Sequence, residues 1–201
     1  AGGVVEPRHA AVPEMALPAM RVDDTREALR LLAEANRDHT SAKRILVTGT
    51  EGKTGLKIML HHIVSQQVPC HAVLNSANLH VPIWRSLASI RRRDRYAIVE
   101  ISVAQPNRGW QRSAIVRPHF CVITNISPQH TVYHGGLDAL IRNKAESVTS
   151  MEPGGACLIN ADNAYFLDLK EAIQRIQPVP ILAFGSGPGC EGRLLHADYD
   201  A

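Results

Sequence analysis

Hydrophobic residues come in short runs along this chain, and stretches with an apolar residue at every third or fourth position separate the runs. Short apolar runs are typical of buried parallel strands, and the longer spacing is typical of helices that face a core. The predicted strands span 44–47, 71–74, 96–102, 119–125, 156–159 and 179–184. The tail from 185 to 201 is rich in glycine and charge and has no clear period.

Helical patterns occupy the segments between these strands. Asp24 and Thr25 cap a first helix that runs to about Asn36. Further helices are predicted after residue 54, near 83–90, 108–116 and 136–150, and around 164–173. The helix after residue 54 is expected to face the core through Leu56, Ile58, Met59, Leu60, Ile63 and Val64. Strands alternating with helices predict an α/β fold with a mostly parallel sheet and helices on both faces.

The segment 47–54, Val-Thr-Gly-Thr-Glu-Gly-Lys-Thr, lies between a predicted strand and a predicted helix. Glycines let such a loop turn tightly around an anion, and the start of the helix adds partial positive charge. Lys53 would reach the outer phosphates of a nucleotide, and the Thr54 hydroxyl would bind Mg²⁺. A chance Gly-Lys-Thr in an ordinary turn is disfavoured by the flanking strand and helix. The candidate binding residues are Gly49, Thr50, Glu51, Gly52, Lys53 and Thr54.

Composition and charge exclude several classes of protein. The 201 residues carry 22 basic and 19 acidic side chains, and a net charge of +3 does not indicate a nucleic-acid partner. Arg91–Arg93 and Arg95 form a basic cluster without interleaved aromatics, which indicates a solvated helix end. No run predicts a membrane span or a signal peptide, so we expect a cytoplasmic protein. Its four widely spaced cysteines are expected to be reduced thiols.

Residues 1–40 differ from the rest of the chain. They mix glycine, proline and short apolar pieces and are too few to bury a core of their own. We interpret them as the trailing edge of a preceding domain with its linker. Residues 41–201 then form one nucleotide-binding domain.

Three polar residues stand out near the predicted loop. Glu100 ends an apolar strand, and His130 follows the next strand. Lys144 falls on the helical stripe of Leu137, Leu140, Ile141 and Val148, where an apolar residue is expected. Each has a structural alternative: a helix cap, a satisfied histidine and a lysine that reaches solvent from a helix edge. His130 and His134 have a zinc-like spacing, but Pro128 and the glycines at 135–136 disfavour a helix there.

Seven motifs follow one another along the chain. They are Thr-Gly-Thr-Glu-Gly-Lys-Thr (48–54), Ala-Asn-Leu-His-Val-Pro (77–82), Ile-Val-Glu-Ile-Ser (98–102), Thr-Asn-Ile-Ser-Pro-Gln-His (124–130), His-Gly (134–135), Arg-Asn-Lys-Ala-Glu (142–146) and Leu-Ile-Asn-Ala-Asp-Asn (158–163). Taken together, these motifs resemble the central ATPase domain of the Mur ligase family, over roughly residues 20–185. Members of the family use ATP to join a carboxylate to an amine in cell-wall peptide synthesis. Segments 77–82 and 158–163 resemble more closely the branch that adds a dipeptide.

The resemblance implies a role for each candidate residue. Lys53 and the loop amides would hold the β- and γ-phosphates of ATP, and Thr54 with Glu100 would bind one Mg²⁺. Asn78 would lie near the γ-phosphate and the acyl phosphate, and Asn160 would lie near the adenine.

The resemblance also implies a second metal site. His130 would bind a second Mg²⁺ next to Lys144, which is carbamylated in many members of the family. Carbamylation needs the neutral amine, and burial favours that form of a lysine. A buried Lys144 could otherwise pair with Glu100.

The implied activity is that of an ATP-dependent carboxylate–amine ligase acting through an acyl phosphate. Its partners would be ATP, a carboxylate substrate such as a UDP-muramoyl peptide, and the amine of an amino acid or dipeptide. The resemblance implies that residues 1–40 are a remnant of an N-terminal substrate domain with its linker, and that the C-terminal amino-acid domain is not part of this sequence. A ligase for a poly-amino-acid or polyglutamyl product is an alternative, because the parts that select substrate are expected to lie outside this chain. Glu51 and Gly55 depart from the family pattern, which leaves a nucleotide-binding module without catalysis as another alternative. An ordinary P-loop kinase or GTPase would give Val47 and Lys144 no role.

Overall fold

The structure, a computed structural model, describes residues 3–5, 19–75, 79–102, 109–128 and 135–197. Its strands are β1 (Gly3–Val5), β2 (Ala19–Arg21), β3 (Lys43–Thr48), β4 (Cys70–Ala72), β5 (Tyr96–Glu100), β6 (Phe120–Ile123), β7 (Ala156–Asn160), β8 (Ile181–Gly185) and β9 (Gly192–Arg193). Its helices are α1 (Thr25–His39), α2 (Lys53–Ser65), α3 (His80–Ala88), α4 (Gly109–Val116), α5 (Leu137–Ala145) and α6 (Phe166–Ile176). A 3₁₀ turn, Glu146–Val148, continues α5.

Seven strands form one parallel sheet in the order β4-β5-β3-β6-β7-β8-β9. The predicted α/β fold is therefore confirmed. β1 and β2 form a separate parallel pair. The sequence did not predict β9, because a two-residue edge strand is too short to show an apolar period. The predicted bounds of the other sheet strands differ from the observed ones by a few residues at most, as is usual at element ends.

The chain changes direction across the sheet at β3. β4 and β5 lie on one side of β3, and β6 to β9 lie on the other. In parallel sheets, ligands bind at the carboxyl end of the strands where the strand order reverses. The register sets Val47 beside Glu100 and Thr48 beside Ile123, so β3, β5 and β6 all end at this point.

One hydrophobic core packs helices against the sheet. The sheet contributes residues such as Leu46, Val99 and Ile159, all essentially inaccessible to solvent. Buried apolar side chains of the helices include Ala33 of α1, Ile83 and Leu87 of α3, Val116 of α4, Leu140 of α5 and Ile173 of α6. The arginines after α3 are exposed, as predicted. In the part of the chain that the structure covers, no helix is both long and apolar enough to cross a bilayer.

Helix α2 corrects one expectation from the sequence. Ile58, Met59 and Ile63 were expected to face the core, but they are 43–57% exposed. Lys57 is instead the fully buried residue of α2, at 1% exposure. The helix is rotated so that Lys57 meets a carboxylate at the end of β5.

Helix α1 begins and packs as its sequence suggests. The side chain of Asp24 accepts hydrogen bonds from the backbone N–H groups of Arg26 and Glu27, at 2.8 and 3.2 Å. At its other end, Asn36 Nδ2 donates to the carbonyl oxygens of Leu87 and Ile90. α1 is thereby fastened to the end of α3. The proposed division of the chain at residue 40 stays a prediction.

Candidate functional site

The loop between β3 and α2 depends on two glycines. Gly49 has a φ of 140°, and a Cβ there would collide with the side-chain oxygen of Thr124. Gly52 has a φ of 73° in the left-handed region and precedes the first residue of α2. L-residues with side chains rarely adopt such φ values. The close turn therefore requires glycine at both positions.

The segment after β6 braces this loop with four hydrogen bonds. Asn125 accepts twice: its backbone oxygen from the Thr50 N–H at 3.0 Å, and Oδ1 from the Glu51 N–H at 2.9 Å. The Thr124 hydroxyl donates to the Glu51 carbonyl at 2.6 Å, and the Ser127 N–H donates to Thr50 Oγ1 at 3.1 Å. No site role was predicted for these bracing residues, although the polar stretch directly after an apolar strand could have marked them.

The start of α2 is available to an anion. No side chain of the described residues caps the helix, and the amides of Thr50 and Glu51, which are hydrogen-bonded, precede it in the loop. The first N–H groups of a helix have no intrahelical acceptor and carry partial positive charge. Lys53 adds a half-buried ammonium that donates to the Thr50 carbonyl at 2.7 Å. Burial lowers the pKa of Lys53, and the charges of Glu100 and Glu51 oppose that effect. Backbone donors and a cation thus gather at one point, as a phosphate site needs.

Glu100 lies beside this helix end. The Thr54 hydroxyl donates to its carboxylate and lies 2.9 and 3.0 Å from the two oxygens. The Lys57 ammonium donates to Glu100 Oε2 at 2.8 Å and to the Asn75 carbonyl at 2.8 Å. Both side chains of the Lys57–Glu100 pair are 1% exposed. Lys57 was not predicted as a site residue, although it lies three residues after Thr54 and hence on the same helix face.

Lys144 is buried in α5, as predicted, with 3% exposure. Among the residues covered by the structure its ammonium has no hydrogen-bond or ion-pair partner, so the alternative of a pair with Glu100 is wrong there. Burial lowers the pKa of Lys144 to about 7, and the positive charges of Lys53 and Arg112 add to the effect. A substantial fraction of Lys144 is therefore a neutral amine near neutral pH.

The remaining candidate residues have different outcomes. Asn78 and His130 lie outside the described residues. Asn160 ends β7 at the same edge of the sheet as the loop, and its Oδ1 accepts from the Asp162 N–H at 2.9 Å. The backbone of Glu51 braces the loop, and its side chain is exposed to solvent.

The donor atoms at this site suit a hard divalent cation. Thr54 and Glu100 offer hydroxyl and carboxylate oxygens, which are the ligands that Mg²⁺ prefers. Within the described ranges, no group of three or more His, Cys, Asp or Glu side chains could hold a metal. A metal at Thr54 and Glu100 would therefore need further oxygens from a ligand. Lys144 can join a Mg²⁺ site only as a carbamate, because an ammonium repels cations and a neutral amine nitrogen is a poor ligand for a hard cation.

Comparisons with known proteins agree with this geometry. The sequence model described as Mur ligase middle domain matches residues 47–191. The chain is 25% identical over 174 residues to the UDP-N-acetylmuramoyl-tripeptide–D-alanyl-D-alanine ligase of Rickettsia prowazekii, covering 87% of this chain and 39% of that protein.

Solved structures of Mur ligases have a similar fold. MurF from Acinetobacter baumannii matches with a TM-score of 0.74 and 28% identity, over 87% of this chain and 38% of that one. The fold also matches MurF from Thermotoga maritima in complex with ADP, with a TM-score of 0.72 and 18% identity, over 90% and 40% of the two chains. The chain spans about two fifths of the length of these relatives.

Proposed function

The chain belongs to the Mur ligase family through its middle domain, and from that premise we propose that it is the nucleotide-binding part of an ATP-dependent ligase. The ligase joins a carboxylate to an amine during synthesis of peptidoglycan precursors. One observation carries the proposal: the uncapped start of α2, Lys53 and the Thr54–Glu100 pair meet at the carboxyl ends of β3 and β5. Such a junction of backbone amides, cation and oxygen ligands suits Mg²⁺-ATP.

The substrates are inferred from the relatives. Proteins that match most of this chain are named as ligases that add D-alanyl-D-alanine to a UDP-N-acetylmuramoyl tripeptide. We therefore infer that the carboxylate belongs to a UDP-muramoyl peptide and the amine to D-alanyl-D-alanine. These relatives favour the cell-wall product over a polyglutamyl product. A reaction that consumes ATP in this way is expected in the cytoplasm.

The chain's own residues have defined tasks in this reaction. The first N–H groups of α2 would donate to phosphate oxygens, and Lys53 would exchange the Thr50 carbonyl for the transferring phosphoryl group. Thr54 and Glu100 would hold Mg²⁺, which supplies further positive charge there. The substrate carboxylate attacks the γ-phosphorus and releases ADP, and the amine then displaces phosphate from the acyl phosphate. Asn160 would lie towards the adenine.

Lys144 supports a second metal site only after modification. Its neutral amine can attack CO₂ and lose a proton, which gives a negatively charged carbamate. We infer that this carbamate, with His130, holds a second Mg²⁺. Protein supplied with ¹³C-bicarbonate at pH 8 should show a carbamate carbon signal by NMR. The signal should be absent from Lys144→Met, and its absence from the wild type would remove the second-metal proposal.

The departures at Glu51 and Gly55 do not obstruct the loop. The Glu51 side chain is exposed, and a Cβ at Gly55 would meet nothing within 4 Å. Both observations favour a working phosphate site over a module that has lost catalysis.

Calorimetric titration with Mg²⁺-ATP tests the nucleotide site. Lys53→Ala removes a side-chain cation that is bonded to the loop, so the affinity for Mg²⁺-ATP should fall at least about tenfold, as for other charge-assisted contacts. Lys43→Ala is the matched control, because Lys43 is exposed and lies at the other end of β3. Equal affinities of the wild type and Lys53→Ala would refute the assignment.

A further inference from the structure

Lys57 has the largest fully buried side chain in the described part of the chain, although it carries a charge. It lies one turn into α2, directly behind the residues that face the phosphate site. Its ammonium donates to Glu100 Oε2 and to the Asn75 carbonyl, each at 2.8 Å. A buried ammonium is costly unless its charge is paired and hydrogen-bonded, and for Lys57 Glu100 and Asn75 provide both.

Two lysines of the described part of the chain interact with Glu100. Lys57 pairs with it, and Lys53 interacts with it electrostatically. Lys144 also interacts electrostatically with Lys53. The described residues provide one other carboxylate to Lys53, that of exposed Glu51. A bare divalent cation approaching Glu100 would therefore meet an excess of positive charge.

We propose that Lys57 is a positioning residue that holds Glu100 against Thr54 and prevents Mg²⁺ from binding there before the nucleotide. The phosphates of a bound nucleotide reverse the sign of the local charge, so the metal enters with the nucleotide. This inference rests on the nucleotide site proposed above. It assigns to Lys57 an electrostatic task beyond packing α2 against β5.

A purely structural role makes a different prediction. If Lys57 only fastens α2 to Glu100 and Asn75, any buried donor of similar length would serve. Glutamine keeps an N–H donor at this position but lacks the charge. Lys57→Gln should therefore resemble the wild type under the structural role and should differ from it under the electrostatic role.

The test measures the affinities for Mn²⁺ and for ADP, which should change in opposite directions in Lys57→Gln if Lys57 acts through its charge. Mn²⁺ binding to nucleotide-free protein, followed by electron paramagnetic resonance, should tighten at least about tenfold in Lys57→Gln, because one unit charge close to a cation is worth that much at protein dielectrics. ADP binding in EDTA should weaken about threefold or more, because the same charge attracts phosphates. Lys57→Arg should keep the wild-type values, and Lys43→Gln controls for net charge at an exposed site.

Each outcome has one meaning. Wild-type protein that binds no Mg²⁺-ADP would refute the proposed function itself. Wild-type protein that binds Mg²⁺-ADP, while Lys57→Gln matches it in both assays or loses both affinities, would overturn only the role of Lys57. If circular dichroism shows that Lys57→Gln is unfolded, the Mn²⁺ affinity of the wild type with and without ADP is the test. Equal Mn²⁺ affinity in both conditions overturns the proposal, and Mn²⁺ binding only in the presence of ADP supports it.

Discussion

Replacement of Lys144 by methionine should stabilise the domain, and the gain should shrink as the pH rises. Lys144 is 3% exposed and lies beside the buried Leu140 and Ile141 of α5. Methionine has a similar length and no charge, so it fills the same space without a buried ammonium.

The sign and size follow from the pKa of Lys144, which burial lowers from an ordinary value of 10.5 to about 7. Below pH 7 the amine is protonated in both the folded and unfolded states, and the full cost of the buried charge is present. Between pH 7 and 10.5 the unfolded chain holds a proton that the folded chain has released, so the free energy of unfolding rises with pH. The difference between the pKa values of the unfolded and folded states limits the stability gained in Lys144→Met to about 5 kcal/mol. Relaxation around the charge should reduce the measured gain to about 1–3 kcal/mol.

Urea unfolding at pH 6, 7, 8 and 9 in CO₂-free buffer measures this effect. Lys144→Met should exceed the wild type in stability by the largest margin at pH 6, and the margin should decrease at pH 8 and 9. Lys43→Met serves as control because Lys43 is exposed, and its difference from the wild type should not vary with pH. A margin for Lys144→Met that is constant from pH 6 to 9 would refute the assigned burial cost.

Three further predictions concern the loop, two glycines and a histidine. Asn125→Ala removes the side-chain oxygen that accepts from the Glu51 N–H of the loop. Calorimetry should show ADP binding about tenfold weaker, while the protein stays folded. Unchanged affinity would show that this hydrogen bond is not needed for binding. Gly55→Ala should raise the free energy of unfolding in urea by about 0.5–1 kcal/mol, because a Cβ at this helical position meets open space. Gly109→Ala should lower it, because a Cβ there collides with the backbone of α5. Burial and nearby cations lower the pKa of His119 to about 4. The free energy of unfolding of the wild type should therefore fall by about 1–2 kcal/mol between pH 6.5 and pH 4, after allowance for partial exposure. His119→Asn should lack that fall.

The sequence predicted those parts of the site that a regular period or a strand end marks. Glu100 ends an apolar run, and Lys144 interrupts an apolar stripe, so both were visible as exceptions to a pattern. The bracing bonds of Thr124 and Asn125 were not predictable, because they join a loop to a strand end that lies more than seventy residues away. Pairing over that distance is set by the sheet order, which local periodicity does not contain.

Helix α2 shows a different reason for failure. Its apolar residues are spread around the helix, so hydrophobicity alone does not decide which side faces the sheet. The phosphate loop decides it, because Lys53 and Thr54 must face the carboxyl ends of the strands, and Lys57 follows them on the same face. Ile58 and Met59 then turn outwards and are 43% and 57% exposed. The rotation of α2 is thus set by the chemistry at its first turn, and the buried Lys57–Glu100 pair is the contact that fixes it.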